Sequence, residues 1–322
     1  MKKMINRITV EGIHYDNDLR KSEKGYVNGK LSVLIPSGEE QVQNICDMRV
    51  LAGPRYGNKP DAKTNLNFPK FCELMDSKDK NCFMGVGEEA IGVSISGSFE
   101  PNYFCPRGRE PKRENIISSL RNGATFIDLM PASMIDQPRA EFEVDIVITG
   151  IVPEMTKDDC PAPTGNYIVR GYIFNYQKAA IEVSMIAKTS QGIGMSAADY
   201  FAEMAEEVSE ETPVFTKVWG RINGFITTIE REEKSAFGES KVVSFKSTKK
   251  ELEITGAMPT PYEEGLTKEE FEKALKTREL EIAAALDRAT TKTATNATST
   301  NPTETIASAF GNLGGMGGKF QF

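Results

Sequence analysis

Histidine and tryptophan are almost missing from this chain: His14 and Trp219 are single occurrences among 322 residues. A Ser-His-Asp triad or a multi-histidine metal centre could be assembled only around that one imidazole, which excludes most hydrolase and zinc-enzyme chemistry. The five cysteines, Cys46, Cys72, Cys82, Cys105 and Cys160, form no Cys-x-x-Cys pair and are odd in number, which argues against a disulfide framework and for a reducing compartment. With His14 they match no zinc-binding spacing. No run approaches the roughly 18 consecutive apolar residues of a membrane span. The opening Met-Lys-Lys-Met-Ile-Asn-Arg also lacks the apolar stretch of a signal peptide, so the expected location is cytoplasmic. Gly85-Val86-Gly87 has no third glycine to make a phosphate loop, and the pairs Asp16/Asp18 and Glu88/Glu89 have no partner for acid/base work. The chain reads as non-enzymatic, with no cofactor and no metal.

What is present is an ordinary folded composition, 39% hydrophobic and 26% charged, in a chain long enough for two domains. The net charge of −7 is uneven: residues 1–138 carry +1, residues 139–262 carry −6 and residues 263–322 carry −2. Acid gathers in runs such as Glu203 to Glu211, which read as solvated helix faces and leave basic patches elsewhere. Global charge therefore does not exclude a polyanionic partner.

The string Ile8-Thr9-Val10-Glu11-Gly12-Ile13 alternates apolar residues and places a glycine where a curved strand bends. A similar string runs from Ile146 to Ile151, and Val93 to Phe99 is matched by Trp219 to Phe225, at offsets of 138 and 127 residues. Two offsets of similar size suggest a duplicated unit. In the first half, strands near Ile8 to Tyr15, Lys30 to Ile35 and Val42 to Leu51 precede a helix, Asn67 to Met75, and strands near Ile91 to Phe99 and Ala124 to Leu129 follow. In the second half, Glu143 to Val152, Tyr167 to Tyr176 and Ala180 to Lys188 precede a helix, Ser196 to Val208, with Phe215 to Arg231 and Val242 to Thr255 after it. Three strands, a helix and two strands is the order of a five-stranded OB barrel. The predicted fold is mainly β with a few helices: OB-fold barrels at 1–138 and 139–262, a C-terminal helix at 263–289 and a flexible tail at 290–322.

The helix is read from Leu266 to Ala289, with Thr267 and Glu270 as a capping box and Leu266, Phe271, Leu275, Ile282 and Leu286 at helical spacing. From Thr290 to Thr305 the chain is almost entirely Thr, Ala, Asn and Ser, and Gly311 to Gly318 is glycine-rich, too little apolar surface to fold. Phe320 and Phe322 stand at the end of this tail, either as a merely sticky end or as a peptide that docks in a partner's pocket.

The N-terminal string Ile5-Asn6-Arg7-Ile8-Thr9-Val10-Glu11-Gly12, followed by Asp16-Asn17-Asp18-Leu19-Arg20, resembles the opening strand of bacterial and phage single-stranded DNA-binding proteins. There a hydrophobic-Asn-Arg start leads through an apolar strand and glycine to an Asp-Pro-Glu-Leu-Arg-like turn; here Asn17 and Asp18 replace the proline and glutamate. The resemblance covers about 17 residues and implies an OB fold, sequence-tolerant binding of single-stranded DNA in replication or recombination, plausibly a phage setting, and Arg7 and Arg20 in the DNA-binding set. It also implies four OB folds per assembly, which two-barrel chains reach as a homodimer. The family's Gly-rich linker ends in an acidic tip closing on Pro-Phe; this chain keeps the linker and Phe322 but has Lys319 and no acidic cluster.

Independently of that resemblance, single-stranded nucleic acid demands cations along its phosphates and flat side chains under its bases. Arg170, Tyr172, Phe174, Tyr176 and Lys178 fall on alternate positions, so one strand would place all five on one face, with Val169, Gly171 and Ile173 toward the core. The inverted reading puts the aromatics in the core. Trp219, Arg221 and Phe225 share parity on a later strand. Between strands four and five of the first barrel, where an OB fold projects its L45 loop, lie Tyr103, Phe104, Arg107, Arg109, Lys112 and Arg113; Arg55, Tyr56 and Lys59 form a smaller loop of the same kind. The alternative to a DNA-binding protein is a structural or adaptor protein that uses its barrels and helix for protein assembly.

Overall fold

The computed structural model describes residues 4–36, 44–56, 61–83, 89–106, 108–157, 159–190, 194–233, 241–259, 261–262 and 265–299, with backbone alone at 226–233, 241, 243–248 and 292–299. The first barrel uses β1 (Asn6–Asn17), the two-residue β2 (Arg20–Lys21), β3 (Val27–Ile35), β4 (Asn44–Ala52), α1 (Phe68–Asp76), β5 (Ile91–Phe104) and β6 (Ile117–Pro131). β1 pairs antiparallel with β3 and β5, β3 with β4, and β5 neighbours β6. Parallel pairing of β4 with β6, Arg49 opposite Gly123 and Val50 opposite Ala124, closes the barrel.

The second barrel repeats the scheme with β7 (Arg139–Met155), β8 (Pro163–Phe174), β9 (Ala180–Ala187), α2 (Ala197–Met204), β10 (Val214–Glu233) and β11 (Lys241–Ala257). β7 pairs with β8 and β10, β8 with β9, β10 with β11, and parallel pairing of β9 with β11 at Ile186 opposite Glu253 closes it. Tandem OB barrels are thus the fold.

Alternation in the strands sorts inside from outside. Leu31, Val33 and Ile35 of β3 and Cys46, Met48, Val50 and Ala52 of β4 are buried in the first core. α1 adds Phe71 and Leu74, and α2 adds Phe201. Pro69 occupies the first turn of α1, where its missing N–H costs nothing; α2 opens on a capping box in which Asp199 N donates to Ser196 Oγ at 3.1 Å. The lone histidine is a core residue. His14 Nδ1 donates to the Lys80 carbonyl at 3.0 Å, Nε2 accepts from Asn17 Nδ2 at 2.9 Å, and burial lowers its pKa, so it stays neutral.

The duplication has a different register from the one the repeated strings suggest. Each barrel's first strand carries a bulge, after His14 and after Ile148, 134 positions apart. Gly97 corresponds to Gly220, not to Gly224: a Cβ at Gly97 would lie 1.7 Å from the Gly123 carbonyl oxygen, and one at Gly220 1.9 Å from that of Glu253. At both positions the closing strand passes too near for any side chain.

The barrels are hydrogen-bonded to each other. β1 pairs antiparallel with β7, Ile8 opposite Phe142, and Phe225 of β10 lies opposite Asn44 of β4. Gly224 N donates to Asn44 Oδ1 at 2.8 Å, and Asn44 Nδ2 donates to the Ile222 carbonyl at 3.3 Å.

The last helix, α3 (Lys268–Ser299), begins with the expected capping box, Glu270 N donating to Thr267 Oγ1 and Thr267 N to Glu270 Oε2, both at 3.2 Å. It continues to Ser299, ten residues past the expected end at Ala289; within it Thr290 and Thr291 donate their hydroxyls back to the Leu286 and Asp287 carbonyls, so their side chains are accommodated by the helix. The chain divides into two compact units: Met1–Pro101 with Leu120–Thr277, holding both barrels, and Asn102–Ser119 with Arg278–Phe322. Among the described residues no helix is long and apolar enough to cross a membrane.

Candidate nucleic-acid interface

The outer face of β2, β3 and β4 is a grid set by register. Arg20 lies opposite Asn28, and Asn28 opposite Leu51; Lys30 lies opposite Arg49, and Ser32 opposite Asp47. Residues directly opposite share a face, so Arg20, Lys30, Arg49 and Leu51 project together from the barrel. On β6, which runs parallel beside β4, Arg121 continues this face two residues before Gly123. Asp47 accepts from Ser32 Oγ at 2.6 Å and pairs with Lys30 Nζ at 3.3 Å, while Arg49 donates to the Gly29 carbonyl at 2.9 Å. Arg121 makes no hydrogen bond or ion pair among the described residues, and its nearest charges are Arg49 and Glu100; desolvation first, then the Arg49 guanidinium, lower its pKa.

The same barrel exposes apolar and aromatic groups. Leu51, Phe126 and Tyr56 are 69%, 55% and 47% exposed. The loop carrying Arg55 and Tyr56 is tied down by Tyr56 N donating to the Lys63 carbonyl and by a bridge from Arg55 to Thr64. Asn67 donates to the Tyr56 hydroxyl at 3.0 Å and accepts from Ile127 N at 3.1 Å, which anchors Tyr56 to the strand that exposes Phe126. Cations at strand spacing beside exposed rings can follow phosphates and stack bases.

One cation comes from the other barrel. Lys250 of β11 reaches the first barrel, where its Nζ donates to the Leu120 carbonyl at 3.1 Å and Asn122 Oδ1 at 2.9 Å and sits 5.4 Å from the centre of the Phe99 ring. Desolvation pushes its pKa down to about 8, against the pull of the Asp47 carboxylate. Lys30, Arg49, Arg121 and Lys250 line a cleft of about 500 Å³.

Other sequence-predicted residues fall elsewhere. Arg7 and Trp219 meet on the outer face of β1, β7 and β10, lining a small recess of about 210 Å³ with Glu141 and Glu143. Arg7 is paired with Glu143, as is Lys217 at 3.3 Å, and Arg221 lies opposite Glu141, so carboxylates answer the cations there. Trp219 lies across Gly256, where a Cβ would touch its indole. Phe225 sits, half-buried, at the β10–β4 junction.

The second-barrel stripe is split. Val169 and Ile173 do face the core, and Tyr172 and Phe174 do project from the barrel, but Phe271, Ala274 and Leu275 of α3 pack over them. Phe174 is 2% exposed, and the Phe271 ring centre lies 5.6 Å from that of Tyr172 and 6.5 Å from that of Phe174. This corrects the expectation of a five-residue platform: the strand ends at Phe174, and Tyr176 and Lys178 belong to the following turn, Lys178 in the left-handed region at φ 64°. Arg170 remains exposed.

In the hairpin unit, Arg113 makes a bidentate pair with Glu279 at 3.0 Å and Lys112 pairs with Glu110 at 2.9 Å, so two of the loop cations are neutralised. Tyr103 is half-buried there, with its pKa raised by desolvation, while Phe104 and Arg109 are exposed. Lys59, Arg107, Phe320 and Phe322 lie outside the described residues. Residue-by-residue reading missed Lys30, Arg49, Leu51, Arg121, Phe126 and Lys250. The alternation of Asp47, Arg49 and Leu51 against Cys46, Met48 and Val50 was the available signal for β4; nothing in the sequence marks Lys250, whose contacts lie more than a hundred residues away. Among the described residues no group of three or more His, Cys, Asp or Glu side chains could hold a metal.

These features define a tandem OB-fold protein whose first barrel carries a row of cations on its outer face. Residues 5–287 match the model of the YorF family, and the chain belongs to that family. No curated protein matches. Two solved structures to which the chain shows similarity are a deletion mutant and the wild-type form of the single-stranded DNA-binding protein from Thermus aquaticus. The first is 15% identical over 84% of this chain and 100% of that one, the second 14% identical over 83% and 97%, each with a TM-score of 0.44.

Proposed function

We propose that this protein binds single-stranded DNA, tolerant of sequence and without catalysis, through the outer face of its first barrel. The observation that carries the reading is the grid of Arg20, Lys30, Arg49 and Arg121, cations held on strands for the phosphates, on the barrel that also exposes Leu51, Tyr56 and Phe126, apolar and aromatic surface for the bases. Binding serves replication or recombination in a phage or prophage setting, two chains presenting four barrels as a dimer, and the tail ending in Phe320 and Phe322 docks a protein partner. Fluorescence anisotropy with a labelled dT oligomer tests it: the expected result is binding that weakens steeply with salt and exceeds binding to duplex. Absence of binding at low salt removes the reading, and association only with proteins, insensitive to nuclease, establishes an adaptor instead. Deleting Lys319 to Phe322 is expected to leave dT affinity unchanged and to weaken capture of replication or recombination proteins; a large loss of dT affinity would place the tail in the binding groove.

A further inference from the structure

The cleft between β4, β6 and the β10–β11 hairpin has more positive charge directed into it than its own neighbours satisfy. Of its two carboxylates, Asp47 is engaged by Lys30 and Ser32, and Asp18 accepts from the Lys30 backbone N–H. Glu100, withdrawn from water, faces both Arg121 and Arg49, so one carboxylate answers two guanidiniums. Arg49, Arg121 and Lys250 remain: the two guanidiniums are near enough to repel each other, and the Lys250 ammonium is hydrogen-bonded only to neutral oxygens, the Leu120 carbonyl and Asn122 Oδ1, among the described residues. Like charges converging on a cavity cost stability in the absence of an anion, and burying an ammonium costs more. A volume of about 500 Å³ lies in the range small-ligand sites occupy, and one nucleotide fits it.

We propose that this cleft is a phosphate subsite, in which Arg49, Arg121 and Lys250 hold one phosphodiester of a bound strand. The inference deepens the single-stranded DNA reading and rests on it. It assigns the second barrel a direct part in the first barrel's site, since Lys250 arrives on β11 while Arg49 and Arg121 stand on β4 and β6. The groups against Lys250 are Cys46 and Asp47 from β4, the Leu120 carbonyl and Asn122 from β6 and the Phe99 ring from β5; Asp18, Lys30, Arg49 and Arg121 line the same cleft, and Ile222 and Gly224 of β10 bring no charge. Burial pushes the Cys46 thiol up to about 12, so it stays neutral where Lys250 titrates. The Lys250 charge, and its contribution to anion affinity, is therefore present below about pH 8 and lost as pH rises through that value.

The test uses the full chain, with Arg121→Ala, Lys250→Arg and Lys250→Met variants, in dT-oligomer anisotropy across salt and pH, and with inorganic phosphate followed by ³¹P line broadening. Arg121→Ala is expected to weaken dT binding on the order of tenfold and to flatten the salt dependence by about 0.7 in log–log slope, one phosphate contact on a single strand. Wild-type affinity should fall between pH 7 and 9.5, and Lys250→Arg, which keeps its charge and tests the role even if Lys250→Met does not fold, should abolish that fall. If folded Arg121→Ala and Lys250→Arg bind dT with wild-type affinity, salt slope and pH dependence, the subsite is overturned while the interface stands. If the wild type binds no dT yet broadens the phosphate line, and Arg121→Ala does not, the cleft is a phosphate site for a free anion and the DNA reading falls. Binding of neither overturns both.

Discussion

The two barrels share one pairing scheme and differ in what lies over their outer faces. On the first, the row from Arg20 to Leu51 and the pair Lys30 and Arg49 stand open. On the second, the corresponding strand β8 carries the richer aromatic sequence, yet Phe271, Ala274 and Leu275 cover its Tyr172 and Phe174. In the second barrel the chain covers its own aromatic surface; on the proposed reading, the first barrel's cations are left for a bound strand.

The comparison can be broken most forcefully at Phe174. Because that ring is buried under α3, Phe174→Ala is expected to cost about 3–5 kcal/mol in urea unfolding while dT affinity of the folded protein stays within about twofold. A variant of unchanged stability and lost affinity would make the second face the binding one. Next is Lys250, whose native pKa of about 8 lies below the ordinary 10.5. The unfolded chain holds the proton longer, so wild-type stability relative to Lys250→Met should be flat below pH 8 and rise by about 2–3 kcal/mol between pH 8 and 10.5. Urea titrations of both proteins at pH 7 and 10 read the difference. On the open face, Tyr56→Ala is expected to cost about 1–3 kcal/mol of dT binding as a lost stack, measured by anisotropy. The smallest effect is at the hairpin, where Arg113→Ala removes an exposed pair with Glu279: under about 1 kcal/mol in stability and no change in dT affinity. A large loss of affinity there would restore the loop as a binding element.

The barrel order was legible because β1, β3 and β4 alternate cleanly and each helix falls between the third and fourth strands of its barrel. Parity along Val169, Gly171 and Ile173 also told the inside of the second barrel from its outside. Parity cannot tell whether a helix a hundred residues later lies over the outside, and Tyr172 and Phe174 were assigned to solvent for that reason. Arg20, Arg55 and Tyr56 were found as local strings. Arg49, Arg121 and Lys250 were not, because strand closure and a hairpin from the other barrel bring them together from distant parts of the chain. The repeated strings pointed to duplication but matched Gly97 to Gly224, since short apolar-glycine patterns recur along any curved strand, whereas the glycine that the closing strand requires is Gly220.

The antiparallel ladder from Asn6 opposite Val144 to Glu11 opposite Arg139 has one more consequence. Each barrel's opening strand uses the other as the neighbour that would otherwise be a bare edge, and Asn44 repeats the tie at a second point. A chain severed between the barrels would expose two rows of unpaired N–H and C=O groups, the kind of edge that recruits other chains and aggregates. The two halves are therefore expected to unfold as one cooperative body, with neither persisting as a portable module.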